Sequence, residues 1–126
     1  MSYGVLSSKS GHLMVETTGG AGGSGTDTAL DRFQASFGAA WVPGRLTLTG
    51  LHVNYVASRT GQGLAMVDLN LRDVTGVELS GGRGVSKTIG LRTARHVVHF
   101  RCFGAPAVAQ QMAGALDRLR KKQRSG

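Results

Sequence analysis

Gly81-Gly82-Arg83-Gly84-Val85-Ser86-Lys87-Thr88 has the composition of a loop that cradles phosphate. That chemistry needs glycine directly before Lys-Thr and a helix after it, so that N-terminal amides aim at the anion. Here Ser86 takes the glycine position and Ile89-Gly90-Leu91 reads as strand, so nucleotide binding is set aside. The remaining reading is an exposed loop whose amides, Arg83 and Lys87 meet an anion. His96 and His99 stand three positions apart on a strand-like run. Such positions face opposite sides of a sheet, so the two rings share no metal. Their charged neighbours in sequence, Arg95 and Arg101, oppose further positive charge on either ring. Cys102 alternates with Val98 and Phe100 and reads as core, with no base beside it. Asp68 and Asp73 flank one strand end, where a turn or ladder role is favoured over paired-carboxylate catalysis. No nucleophile–base pair and no metal or cofactor set emerges, so a non-catalytic protein is expected.

Charge is the stronger signal. The chain of 126 residues carries a formal net charge of +8 and a sequence pI of about 10.9. Such a balance favours an anionic partner: a membrane surface, nucleic acid or an acidic protein. Arg118, Arg120, Lys121, Lys122 and Arg124 crowd the C-terminus with only Asp117 nearby. Arg59 marks a second polar loop, Ser58–Gly63. Trp41 has packing as its default role, but exposed beside Pro43 it would suit a membrane interface or a partner groove. One cysteine, Cys102, excludes an internal disulfide and fits a reducing cytoplasm. No secretory signal is expected in the first 20 residues, and no stretch approaches the roughly 18 apolar residues of a membrane span.

The elements that position these residues are mostly strands. Residues 1–26 are expected to be a flexible segment ending in a Gly-rich linker, with one weak strand where Leu13, Val15 and Thr17 alternate. Thr28-Ala29-Leu30-Asp31 resembles a capping box and opens a short helix over about 28–36. Ser36–Trp41 is expected as a weak first strand, and Val42-Pro43-Gly44 as a tight turn. Alternating strands then follow over Arg45–Thr49, Leu51–Val56, Leu64–Leu71 and Thr75–Ser80. Thr88–Arg92 and His96–Phe103 form a last hairpin about Thr93-Ala94-Arg95. From Pro106 to about Lys122, Val108, Met112, Ala115, Leu116 and Leu119 recur at helical spacing, so one amphipathic helix must face a core. The folded unit is expected over 27–122, with 123–126 as a basic tail end.

"GRLTLTGLHVNYV" from Gly44 to Val56 resembles the paired strands of a GRAM domain, and "VDLNLRDVTGVEL" from Val67 to Leu79 resembles that family's next element. "HVVHFRCF" and the Pro106 helix complete the order. The resemblance covers about residues 33–120. It implies a mainly β fold of pleckstrin-homology/GRAM type: a partly open antiparallel barrel capped by a C-terminal helix. It also implies membrane or protein docking without catalysis. Inositol-phosphate-binding members of the superfamily carry Lys and Arg around a long loop between their first two strands. Here that connection reads as Val42-Pro43-Gly44 alone, so that lipid site is not carried over.

The expected function is a non-catalytic binding or scaffold module, cytoplasmic and peripheral at the inner membrane surface. It would dock to an anionic lipid surface or a protein through Arg59, Arg83, Lys87, Arg118, Arg120, Lys121, Lys122 and Arg124, with Trp41 as an exposed aromatic. The alternatives are a nucleic-acid-binding protein and a carrier of a small apolar ligand. The first lacks an aromatic-rich strand pair on which bases stack. An exposed edge strand would also permit a homodimer.

Overall fold

The computed structural model describes residues 4–18, 20, 23, 25–38, 40–57, 66–80, 87–102 and 104–125, the side chains of 122–125 excepted. Apolar alternation at period two appears as seven strands: β1 (Val5–Thr17), β2 (Val42–Thr49), β3 (His52–Ala57), β4 (Met66–Asn70), β5 (Gly76–Ser80), β6 (Thr88–Arg92) and β7 (His96–Arg101). Two helices, α1 (Gly25–Phe37) and α2 (Ala105–Ser125), and a 3-10 turn at Leu71–Asp73 complete the described elements. The strands form one antiparallel sheet in the order β4-β3-β2-β1-β7-β6-β5. The fold is therefore mainly β, with a C-terminal helix.

The first strand differs from the sequence reading. β1 starts at Val5, well before the weak strand expected at Leu13, and it is the central strand of the sheet. Its first part pairs with β2 (Lys9 opposite Leu46) and its last part with β7 (Val15 opposite Val98). The expected boundary at residue 27 thus cuts through the folded unit. The serines and glycine of Val5–Gly11 conceal the strand, because its side chains there are largely exposed or small.

Ser36–Trp41 is not a strand. Ser36 and Phe37 end α1, and Gly38 follows with φ +69°, the left-handed conformation that commonly stops a helix. Val42-Pro43-Gly44 is not a turn but the start of β2, where Pro43 lies opposite His12. The link between the first two strands is therefore residues 18–41 and contains a helix. Its only basic residue is Arg32, against Asp27 and Asp31.

The inner face of the sheet is continuous and apolar. Leu13, Leu46, Leu48, Val53, Tyr55, Leu69, Ile89, Leu91 and Phe100 are fully buried. α1 packs against β4 and β1, sending Leu30 and Phe33 inward; the Phe33 ring stands edge-on to Tyr55 at 6.3 Å. α2 packs against β5, β6, β1 and the 3-10 turn, and its expected stripe of Val108, Met112, Ala115, Leu116 and Leu119 is buried. The helix runs on through Ser125, past the expected end near Lys122.

Candidate anion-docking face

Register decides which polar side chains meet. Thr88 of β6 lies opposite Arg101 of β7, Arg101 opposite His12 of β1, and His12 opposite Pro43 of β2. These positions alternate with buried Ile89, Phe100, Leu13 and Val42, so the row faces outward. Four adjacent strands at about 4.8 Å spacing give it a length of roughly 14 Å. Lys87, exposed, precedes Thr88 at one end. At the other, Trp41 is half-buried and the Arg101 guanidinium carbon lies 4.3 Å from its ring centroid. This cation–π stack presents a flat apolar ring and a fixed positive charge together. One register step away, Arg45 is exposed opposite Ser10 and donates to Ser8 Oγ at 3.0 Å.

The acids of the outer face are each engaged by a basic group. Glu16 Oε1 is 2.9 Å from His99 Nε2, Glu78 Oε1 is 2.6 Å from Arg92 Nε, and Asp68 Oδ2 is 3.1 Å from His52 Nδ1. The row itself holds no carboxylate among the described residues. Its summed potential is therefore positive.

The structure brings two of the expected contact residues, Lys87 and Trp41, to opposite ends of one row. It adds Arg101, His12 and Arg45, which the sequence reading did not select. Arg101 and His12 had a recoverable signal: each is an outward position on an alternating strand. Their union across β1 and β7 depends on a pairing between distant parts of the chain. Arg118, Arg120 and Lys121 lie elsewhere, on exposed positions of α2. Arg120 donates to the Thr75 carbonyl at 2.9 Å, and Lys121 Nζ is 3.3 Å from Asp117 Oδ2. Thr75 precedes β5, whereas the row begins where β5 ends, since Ser80 lies opposite Thr88. The basic helix end and the row are thus separated by the length of β5, about 14 Å. Lys122 and Arg124 lie on the last turns of α2, with side chains outside the described residues. Arg59 and Arg83, with most of their loops, lie outside them as well.

Asp68 and Asp73 do not form a pair, in keeping with the sequence reading: Asp68 faces His52, while Asp73 accepts a 2.7 Å hydrogen bond from the Thr26 hydroxyl. One further sequence reading changes: the surroundings of His96 are anionic rather than cationic. Its ring is wholly buried, with Nδ1 2.7 Å from Asp27 Oδ1 and Nε2 2.9 Å from Asp31 Oδ1. Both carboxylates come from α1, far away in sequence. Asp27 Oδ1 also accepts from the Thr93 hydroxyl at 2.6 Å and the Arg95 amide at 3.0 Å. Arg95 closes the group with a 2.8 Å contact to Asp31 Oδ2. Cys102 is buried, and burial pushes its thiol up while Lys9 pulls more weakly the other way.

No protein-family model matches the chain, and no curated protein matches it. Solved structures do resemble it. The Vps36 N-terminal PH domain superposes with a TM-score of 0.62 at 14% identity, covering 94% of this chain and 83% of that one. The C-terminal domain of an unknown protein from Leishmania infantum superposes with a TM-score of 0.57 at 12% identity, covering 90% and 85% respectively. The fold is therefore pleckstrin-homology-like. At such identities the likeness concerns the fold alone.

Proposed function

We propose that this protein is a non-catalytic binding module that docks on an anionic membrane surface through the outer face of β7, β1 and β2. The observation that carries this reading is the row Lys87–Arg101–His12, closed by Trp41 and flanked by Arg45, from which carboxylates are absent among the described residues. A cation near an anionic bilayer contributes about 1 kcal/mol, and an amphipathic ring such as Trp41 suits the headgroup level. In sequence, residues 81–86 follow Ser80 and residues 58–65 follow Ala57, which lies opposite Gly44. They contain Arg83 and Arg59, which would extend the contact. Arg118, Arg120, Lys121, Lys122 and Arg124 form a second basic cluster, whose contribution would be long-range attraction rather than direct contact.

The proposed attachment is peripheral; no described helix is long and apolar enough to cross a membrane. The GRAM-like pattern of Gly44–Val56 and Val67–Leu79 agrees with a docking role. The interior offers less to an apolar ligand, because Tyr55, Phe100 and Phe33 fill it, with Tyr55 and Phe100 in edge contact at 5.9 Å.

The test is co-sedimentation with vesicles of neutral phosphatidylcholine and with vesicles containing phosphatidylserine. Binding to the anionic vesicles alone is expected, and the double variant Arg45→Glu/Arg101→Glu should bind more than about tenfold more weakly. Equal binding to both vesicle types, or full binding by a folded double variant, would refute the reading. Absence of binding to either would leave protein docking as the function to pursue.

A further inference from the structure

β4 is one edge of the sheet, and its outward side chains are Met66, Asp68 and Asn70, because Val67 and Leu69 are buried between them. Edge strands that face water are commonly protected by charge. Asp68 fits that rule, 3.1 Å from His52. Met66 does not: it is 65% exposed, more than any other large hydrophobic side chain among the described residues. One exposed apolar residue needs no explanation, but Met66 has neighbours of its kind. It lies opposite Val56 of β3, and Val56 lies opposite Arg45 of β2. Tyr55 and Ala57 on either side of Val56 are buried, so Val56 also points outward, where it is half-buried. Two residues before Arg45, Pro43 is exposed on the same face, and half-buried Trp41 precedes it by two more.

The outer face is therefore divided. Arg101, His12 and Arg45 supply polar and cationic groups on β7, β1 and β2. Trp41, Pro43, Val56 and Met66 supply apolar surface from the start of β2 to β4, with Met66 two strands beyond Arg45, about 10 Å. Arg45 and the stack of Arg101 on Trp41 mark the join. An anionic bilayer has the matching order, with charge at the headgroups and hydrocarbon directly beneath them. We propose that Met66 and Val56 form an apolar wedge that enters the acyl region of an anionic bilayer, with the β4 edge tilted downward and the cations held at the headgroups. The wedge rests on the docking reading and adds a preference to it, for membranes whose headgroups are loosely packed. Entry needs gaps between headgroups, and strong curvature opens them. A surface of cations alone responds to membrane charge and not to the gaps.

The full chain would be bound to vesicles of one phosphatidylserine-containing composition at two diameters, about 30 and 200 nm, at equal accessible lipid. Binding to the small vesicles should be stronger by about threefold or more. Met66→Thr keeps a residue suited to a strand but removes most of the apolar reach. It should lose the size preference and bind small vesicles about fivefold more weakly. Leu79→Ser should change neither, since Leu79 lies opposite buried Ile89 and so belongs to the other face. Depth has its own readout. Met66→Cys carrying an environment-sensitive fluorophore should shift to the blue on anionic vesicles, and the same label at Gln110→Cys, exposed on α2, should not. Cys102 is buried and is spared by brief labelling. Anionic-vesicle binding that ignores both vesicle size and Met66→Thr, or a label at position 66 that stays in water, would overturn the wedge and leave docking by charge intact. Loss of all vesicle binding would overturn both.

Discussion

Tyr55 depends on the absence of a side chain at Gly44. Gly44 lies opposite Gly11 on β2 and β1, and the phenol abuts it while donating to the Val42 carbonyl. A Cβ at Gly44 would stand 2.3 Å from the Val56 carbonyl oxygen and 2.7 Å from the phenol carbon. Backbone cannot yield cheaply there, so Gly44→Ala should cost about 1–3 kcal/mol, seen as a lower urea midpoint at unchanged slope. Burial also holds the Tyr55 phenol well above its ordinary 10.0. Above that pH the unfolded chain binds fewer protons than the folded one, so stability must fall as pH rises. The contribution is intact below 10.0, and Tyr55→Phe should flatten the loss that sets in above about pH 10 in urea titrations. Cys102 should react with a thiol reagent only at the rate of local opening, and addition of urea should release it. Its core role was legible from alternation with Val98 and Phe100. The Asp27–His96–Asp31 contact was not, because its carboxylates stand 69 and 65 residues from the ring.

At the scale of elements, the most legible was α2. Its apolar stripe repeats over three turns, and one change within it should be costly. Met112→Ala removes a fully buried side chain and should destabilise the protein by about 2–5 kcal/mol, measured by chemical denaturation. The hairpin at Thr93-Ala94-Arg95 was legible too, as were β3, β6 and β2 from Arg45 onward, where hydrophobic residues alternate cleanly. α1 was read with its start late. Thr28 resembles a cap in sequence, but the helix already begins at Gly25, and Thr26 and Asp27 are turned inward to bond Asp73 and the β6–β7 turn. The misread strand at Ser36–Trp41 has a local cause. Phe37 and Trp41 suggest strand by composition, but the Phe33 and Phe37 rings meet at 4.7 Å one turn apart on α1, and Gly38, with φ +69°, stops the helix only after Phe37.

For the whole molecule, the docking face could be inferred from sequence only in part. Lys87 and Trp41 stand out by type, but the row that joins them crosses four strands drawn from both ends of the chain. Net charge of +8 makes its action dependent on ionic strength. Vesicle binding should weaken steadily between about 0.05 and 0.5 M salt, as the Debye length falls well below the length of the row. Binding that is indifferent to salt would mean that Trp41 and apolar contact dominate instead.

The central place of β1 sets the order in which the protein can assemble. The strand made first has one edge satisfied by β2 and the other by β7, and its contacts include Glu16 with His99, 83 residues away, and Leu6 with Gln111, 105 residues away. Pairing so remote in sequence slows folding, because a long loop must close before any contact rewards it. Throughout synthesis one edge of β1 stays bare until the last strand arrives. That bare edge is where a nascent chain would pair with a neighbour. The stretch that waits is His12–Thr17, and its exposed His12, Glu16 and Thr17 make that edge a poorer template for aggregation.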